Sequence, residues 1–239
     1  LAMFFHILVP LADQFGALNV FRYLTFRTGG AVITALIISF LFGPVLIEML
    51  KSRQKGGQPI RQDGPETHLL TKQGTPTMGG VLILLALGLA TLLWADLSNG
   101  FIWATLGVTL AFGFIGFLDD FMKVSKRDTR GLPGKLKLLM QVVIAAVATF
   151  WIMRHLPAGM VTTLTIPFLK NVVVDLGWMF VIFAVLVMVG SSNAVNLTDG
   201  LDGLAIVLVM IAAGVFAVIA YLSGHSVFAV YLQIHHIKG

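Results

Sequence analysis

Six stretches, approximately residues 29–48, 78–95, 101–118, 138–155, 178–195 and 204–222, are each long and apolar enough to constrain the whole fold. A bilayer core about 30 Å thick needs about 20 mostly apolar residues per spanning helix. Inside that core every backbone N–H and C=O must be satisfied by the protein, which leaves helices and closed barrels. The runs show no alternation of apolar and polar residues, so a barrel is disfavoured. The sequence therefore predicts an all-α polytopic membrane helical bundle with six transmembrane helices, forming one integral membrane domain over residues 1–239. Composition agrees: 57% of residues are hydrophobic and 11% charged, against about a quarter charged in soluble domains. Glycines within the runs (Gly107, Gly113, Gly116, Gly190, Gly214) let neighbouring helices approach closely. The absence of cysteine excludes disulfides and thiolate chemistry. The apolar start "LAMFFHILVPLA" precedes the first basic residue, Arg22, and so lacks the charged region of a signal peptide. It is expected to lie at an interface. The chain opens on Leu1 rather than methionine, and residues preceding it are expected.

Short loops rich in Lys and Arg stay cytoplasmic. The first loop holds Lys51, Arg53, Lys55, Arg61 and Lys72, and the third holds Lys123, Lys126, Arg127, Arg130, Lys135 and Lys137, together eleven of the sixteen basic residues. The second loop, near "ADLSNG", has none. This asymmetry predicts an outside amino terminus, with loops one, three and five inside. The net charge of +5 is thereby a record of topology. With no stripe of basic and aromatic residues, no nucleic-acid partner is expected.

The inside loops carry unusual polar chemistry. Asp119 and Asp120 follow "GFIGFL" at the cytoplasmic end of the third span, where the negative end of the helix dipole opposes them by some tenths to about 1 kcal/mol each. Two readings stand. Lys123 lies four and three residues on, within reach of both on a continued helix. Alternatively the pair holds Mg²⁺, which one or two carboxylates commonly bind while substrate phosphates fill other positions. In "NAVNLTDGLDGLA", Asn193, Asn196, Asp199 and Asp202 recur every three residues, about 300° round a helix, and so form a slowly drifting strip. Gly200 and Gly203 beside the aspartates leave room for a ligand or another backbone. An N-cap for the sixth span explains one aspartate. It leaves the other carboxylate and both amides unexplained, at a membrane edge where unpartnered polar groups are costly. Their donors and acceptors suit a nucleobase or sugar.

In "KQGTPTMGG", Thr75 or Thr77 is a candidate cap for the second span, and the amides there with Lys72 are a candidate anion site. His235 and His236 lack a third ligand nearby and read as incidental, as do His6, His155 and His225. Trp94, Trp103, Trp151 and Trp178 fall near span ends, as in an interfacial aromatic belt.

Three motifs, "DGPETHLLTKQGTPTMGG", "GFLDDFMKV" and "NAVNLTDGLDGLA", resemble in order, spacing and topology the phospho-N-acetylmuramoyl-pentapeptide transferase family. The last two recur in the wider superfamily of polyprenyl-phosphate sugar-1-phosphate transferases; the first narrows the choice. The resemblance implies a multi-pass enzyme of the bacterial inner (cytoplasmic) membrane, acting in peptidoglycan synthesis, with its site facing the cytoplasm. It would transfer phospho-MurNAc-pentapeptide from UDP-MurNAc-pentapeptide to undecaprenyl phosphate, giving lipid I and UMP with Mg²⁺. The bilayer and a homodimer complete the expected partners. By motif, Asp119 and Asp120 look like the family's paired catalytic aspartates and metal ligands, and Asp119 like the base that deprotonates the lipid phosphate. A scheme in which an aspartate attacks first stays open. Lys72, Thr77, Asn196, Asp199, Gly200 and Asp202 match nucleotide-site and active-site positions, and Lys123 resembles a basic residue beside the diphosphate. Asn193 joins this substrate-binding set through the polar strip. The family's pattern continues for about four further spans, with another aspartate in a "GD" motif and a His-rich loop. The sequence ends at Gly239, so it is expected to be the N-terminal part of that larger fold, incomplete as a catalyst alone. The rival readings are a sibling using UDP-N-acetylglucosamine, a small transporter, and a non-catalytic membrane scaffold or truncated product.

Overall fold

In a computed structural model of the chain, residues 3–54, 76–126, 131–166, 172–198 and 203–237 are described. Each of the six apolar runs is a helix: α2 (Leu24–Arg53), α3 (Gly80–Trp94), α4 (Gly100–Lys126), α5 (Gly134–His155), α6 (Met179–Thr198) and α7 (Leu204–Gly224). Five of them are long and apolar enough to cross a membrane. The exception, α3, has 15 residues, about 22 Å of helix. Its length is cut at both ends, by Met78 at φ +76° before it and by extended Ala95 after it. The apolar start folds into α1 (Met3–Leu11), followed by a 3-10 turn over Gly16–Arg22. A short helix, α8 (Ser226–Leu232), follows α7.

The chain divides into two compact units, residues 1–144 and 145–239. In the first, α2 packs on α3, α3 on α4, and α1 on α3. Small residues are prominent among the buried positions, with Ala86, Gly88 and Ala90 of α3 and Ala104 of α4 joined by the larger Leu106 and Ile115. Large side chains such as Phe40 (77% exposed) point outward. This inverts a soluble core and follows from the solvent, because lipid tails leave no hydrophobic drive between helices and close backbone contact must hold them.

At the α3–α4 end, Trp94 stacks on Phe21 at 5.8 Å and meets Phe4 at 5.0 Å edge-on. Its indole N–H donates to the Thr34 hydroxyl at 2.9 Å. Trp94 is therefore an internal anchor between α2 and α3 rather than a belt residue, whereas Trp103, Trp151 and Trp178 are exposed as a belt requires. In the connecting turn, the Ser98 amide and hydroxyl both donate to Asp96 Oδ1, and His6 Nε2 lies 3.2 Å from it. Burial alone would raise the proton affinity of Asp96. The Ser98 donations, with His6 and Arg27, outweigh it and hold the carboxyl below its usual range. Asn99 caps α4 by accepting the Phe101 amide at 2.9 Å.

The second unit adds an element that the apolar runs do not announce. Strands β1 (Thr163–Thr165) and β2 (Val173–Asp175) pair antiparallel, with Leu164 opposite Val174. Asp175 closes the pairing by accepting from Thr162 and from the Gly177 amide. In the same unit α6 packs on α7, and α7 on α8.

Candidate active site

The last turns of α4 carry "FLDDFMK". Adjacent residues on a helix project about 100° apart, so Asp119 and Asp120 share a ligand only if it sits between them. Lys123 does. Its ammonium is 2.6 Å from Asp119 Oδ2 and 3.4 Å from Asp120 Oδ1. The order acid-then-base along the helix, with Lys123 and Lys126 in the last turn, is the arrangement favoured by the helix dipole. Two carboxylates and one ammonium still leave a formal charge of −1 in a half-buried place.

Other elements meet this pair. The Thr77 hydroxyl, from the segment before α3, donates to Asp120 Oδ2 at 3.0 Å. Thr77 thus spends its hydroxyl on the carboxylate instead of capping α3, whose N-cap is Gly79 with no side-chain cap bond. Thr77 is itself held by Gln54, the C-cap of α2. The Gln54 amide nitrogen donates to the Thr77 carbonyl at 3.1 Å, and its oxygen accepts the Thr77 amide at 2.9 Å. On the far side, the turn before α5 closes over Asp119, where the Leu132 amide donates to Oδ1 at 2.7 Å. Gly131 makes that turn at φ +58°, and a β-carbon there would run into Asp119 Oδ1 and approach Lys123 Cε. All four carboxylate oxygens therefore have a partner, drawn from α4, the start of α3 and the start of α5.

Of the residues singled out from sequence, Thr77, Asp119, Asp120 and Lys123 come together in this cluster. Lys123 pairs locally with both carboxylates, as the first of the two readings expects. Among the described residues there is no group of three or more Asp, Glu and His able to hold a metal. The carboxylate oxygens of Asp119 and Asp120, with the Thr77 hydroxyl beside them, are hard donors of the kind that fit Mg²⁺. Asn193 and Asn196 lie on the last turns of α6 in the second unit. The Asn193 amide donates to the Val189 carbonyl at 2.8 Å, and Asn196 is exposed. Lys72, Asp199, Gly200 and Asp202 lie outside the described residues. The cap position of α7 belongs to Gly203, at φ +84°. Sequence reasoning passed over Gln54, which reads as an ordinary polar helix end, and Gly131 with Leu132. The "GLPG" at 131–134 was a visible turn signal, but nothing in it points to Asp119.

The profile of glycosyl transferase family 4 matches residues 102–237, more than half of the chain and inclusive of both aspartates. The chain belongs to glycosyl transferase family 4. Residues 72–84 match signature 1 of the phospho-N-acetylmuramoyl-pentapeptide transferases, and the Thr77 that bonds Asp120 lies within that segment. A curated phospho-N-acetylmuramoyl-pentapeptide transferase of Granulibacter bethesdensis is 60% identical over 237 residues, covering 99% of this chain and 66% of the relative. The chain thus spans just under two thirds of that relative's length. This family 4 member brings signature and aspartate pair into direct hydrogen-bond contact.

Proposed function

We propose that the protein transfers phospho-MurNAc-pentapeptide from UDP-MurNAc-pentapeptide to undecaprenyl phosphate, yielding lipid I and UMP for peptidoglycan synthesis at the bacterial inner membrane. The observation that carries this reading is the bond from Thr77, within the signature segment, to Asp120, beside the Asp119–Lys123 pair. A phosphate oxygen of the lipid attacks the sugar-linked phosphorus of the nucleotide, the diphosphate bridge breaks, and UMP leaves. A phosphate monoester loses its second proton at about pH 6, so a base has to act only on the fraction of lipid phosphate that still carries that proton. Asp119, paired with an ammonium, is in the ionised form that can accept one. Lys123 offsets negative charge where two phosphorylated substrates must approach each other and the carboxylates. Asp119 and Asp120 would hold Mg²⁺, which when bound stabilises charge on the diphosphate and on the departing phosphate. Lys72, Asn193, Asn196, Asp199, Gly200 and Asp202 are assigned to substrate binding on their motif positions.

The site is assigned to the cytoplasmic face, where a soluble nucleotide sugar and a lipid phosphate meet. Supporting this, α2 ends on Lys51 and Arg53 and α4 on Lys123 and Lys126, whereas the turn from Ala95 to Asn99 has no basic residue. The test supplies the protein in membranes with undecaprenyl phosphate and either UDP-MurNAc-pentapeptide or UDP-N-acetylglucosamine, and follows UMP. Release with the first donor is expected. Turnover of the N-acetylglucosamine donor alone contradicts the assignment.

A further inference from the structure

We propose that Gln54 is a positioning residue for this centre, acting on Asp120 through Thr77; the proposal rests on the catalytic reading of the aspartate pair. Gln54 is 7% exposed at the end of a helix whose neighbouring residues 51–53 are exposed. A buried primary amide at such a place needs partners, and it finds both in one residue, the backbone N–H and C=O of Thr77. Two parallel bonds between an amide side chain and one backbone residue fix that residue's orientation as well as its position, much as a strand neighbour does. The orientation matters because the segment is otherwise strained. Met78, directly after Thr77, has φ +76°, a conformation costing about 1–2 kcal/mol for a residue with a β-carbon. Released from Gln54, residues 77 and 78 would relax toward ordinary backbone angles and swing the Thr77 hydroxyl off Asp120 Oδ2, 3.0 Å away. The C-terminus of α2 thereby sets the carboxylate at the end of α4 through Thr77.

The test is a double-mutant cycle in the full-length protein in membranes. Gln54→Met keeps the side-chain volume and removes both bonds; Thr77→Val removes the hydroxyl. Hydrogen exchange of the Thr77 amide is read first, since it does not depend on which donor the enzyme uses. Exchange is expected to quicken in Gln54→Met, and unchanged protection overturns the clamp. In kinetics with the donor that is turned over, each single variant is expected to lower kcat about 10- to 100-fold with KM little changed, as for a misplaced group. If Gln54 acts through Thr77, Gln54→Met lowers kcat no further in the Thr77→Val background. Independent, multiplying losses overturn the proposal, since they are what general loosening of the fold produces. Failure to use UDP-MurNAc-pentapeptide would refute the donor assignment alone and leave both readouts of Gln54 intact.

Discussion

Gly131→Ala probes the turn that closes on Asp119, and its consequence can be worked from the geometry. At φ +58° the backbone is left-handed, which for alanine costs about 1–2 kcal/mol. The new β-carbon would also overlap Asp119 Oδ1, lie 2.8 Å from Lys123 Cε and lie 3.1 Å from Asp119 Cγ. Asp119 and Lys123 are paired at 2.6 Å, so a shift of either carboxylate or lysine disturbs the pair. Opening of the turn would break the bond from the Leu132 amide to Oδ1. A hydrogen bond to a charged group is worth about 1.5–3 kcal/mol, so the sum is about 2.5–5 kcal/mol. The matched control is Gly134→Ala, three residues on, where a β-carbon meets nothing within 4 Å and helix propensity favours alanine. Thermal unfolding in detergent and kcat for UMP release are measured on both. Gly131→Ala is expected to lower the melting temperature and to cut kcat about 10- to 100-fold, with Gly134→Ala close to the parent. Equal behaviour of the two variants would refute the argument that Asp119 is fixed by this turn.

Three further outcomes are expected. Gly30→Ala drives a β-carbon into the six-membered ring of Trp94; expulsion of the indole, with loss of its bond to Thr34, should destabilise by about 2–3 kcal/mol, while Gly29→Ala, open on every side, should not. Because the chain contains no cysteine, Ser98→Cys and Ser125→Cys can be labelled individually with a membrane-impermeant maleimide: Ser98→Cys should react from outside and Ser125→Cys only after permeabilisation, and labelling of both from one side contradicts the topology. The lowered proton affinity of folded Asp96 contributes stability above its unfolded pKa of about 3.9, lost as pH falls from there through the folded value; Asp96→Asn should flatten the melting temperature against pH in that acid window, and an unchanged slope rejects the assignment.

How much was legible in the chain divides along physical lines. Helices α2 and α4 to α7 were visible because lipid demands length and apolarity, and both are written residue by residue. The shortness of α3 was not, since it depends on the backbone at Met78, a residue that on sequence alone belongs to the apolar run. The strands of the second unit were equally hidden: three residues each, they have no period to read. Within the site, the i, i+4 spacing made the Asp119–Lys123 contact readable, because helix geometry alone brings those residues together. Thr77 was singled out by motif, but its bond to Asp120 spans 43 residues of sequence. Gln54 and Leu132 act through backbone groups in tertiary contact, and no residue pattern encodes those in advance. Trp94 shows the opposite error. Its place at a span end suggested headgroups, and packing by Phe4, Phe21 and Thr34 decided otherwise.

On the proposed function, the carboxylates at the end of α4 carry the transfer. UMP release from UDP-MurNAc-pentapeptide by full-length Asp119→Asn and Asp120→Asn, at membrane abundance matched to the parent, tests it most directly. Either change is expected to abolish release while the protein accumulates normally; sustained turnover in both variants would remove the carboxylates from the catalytic role.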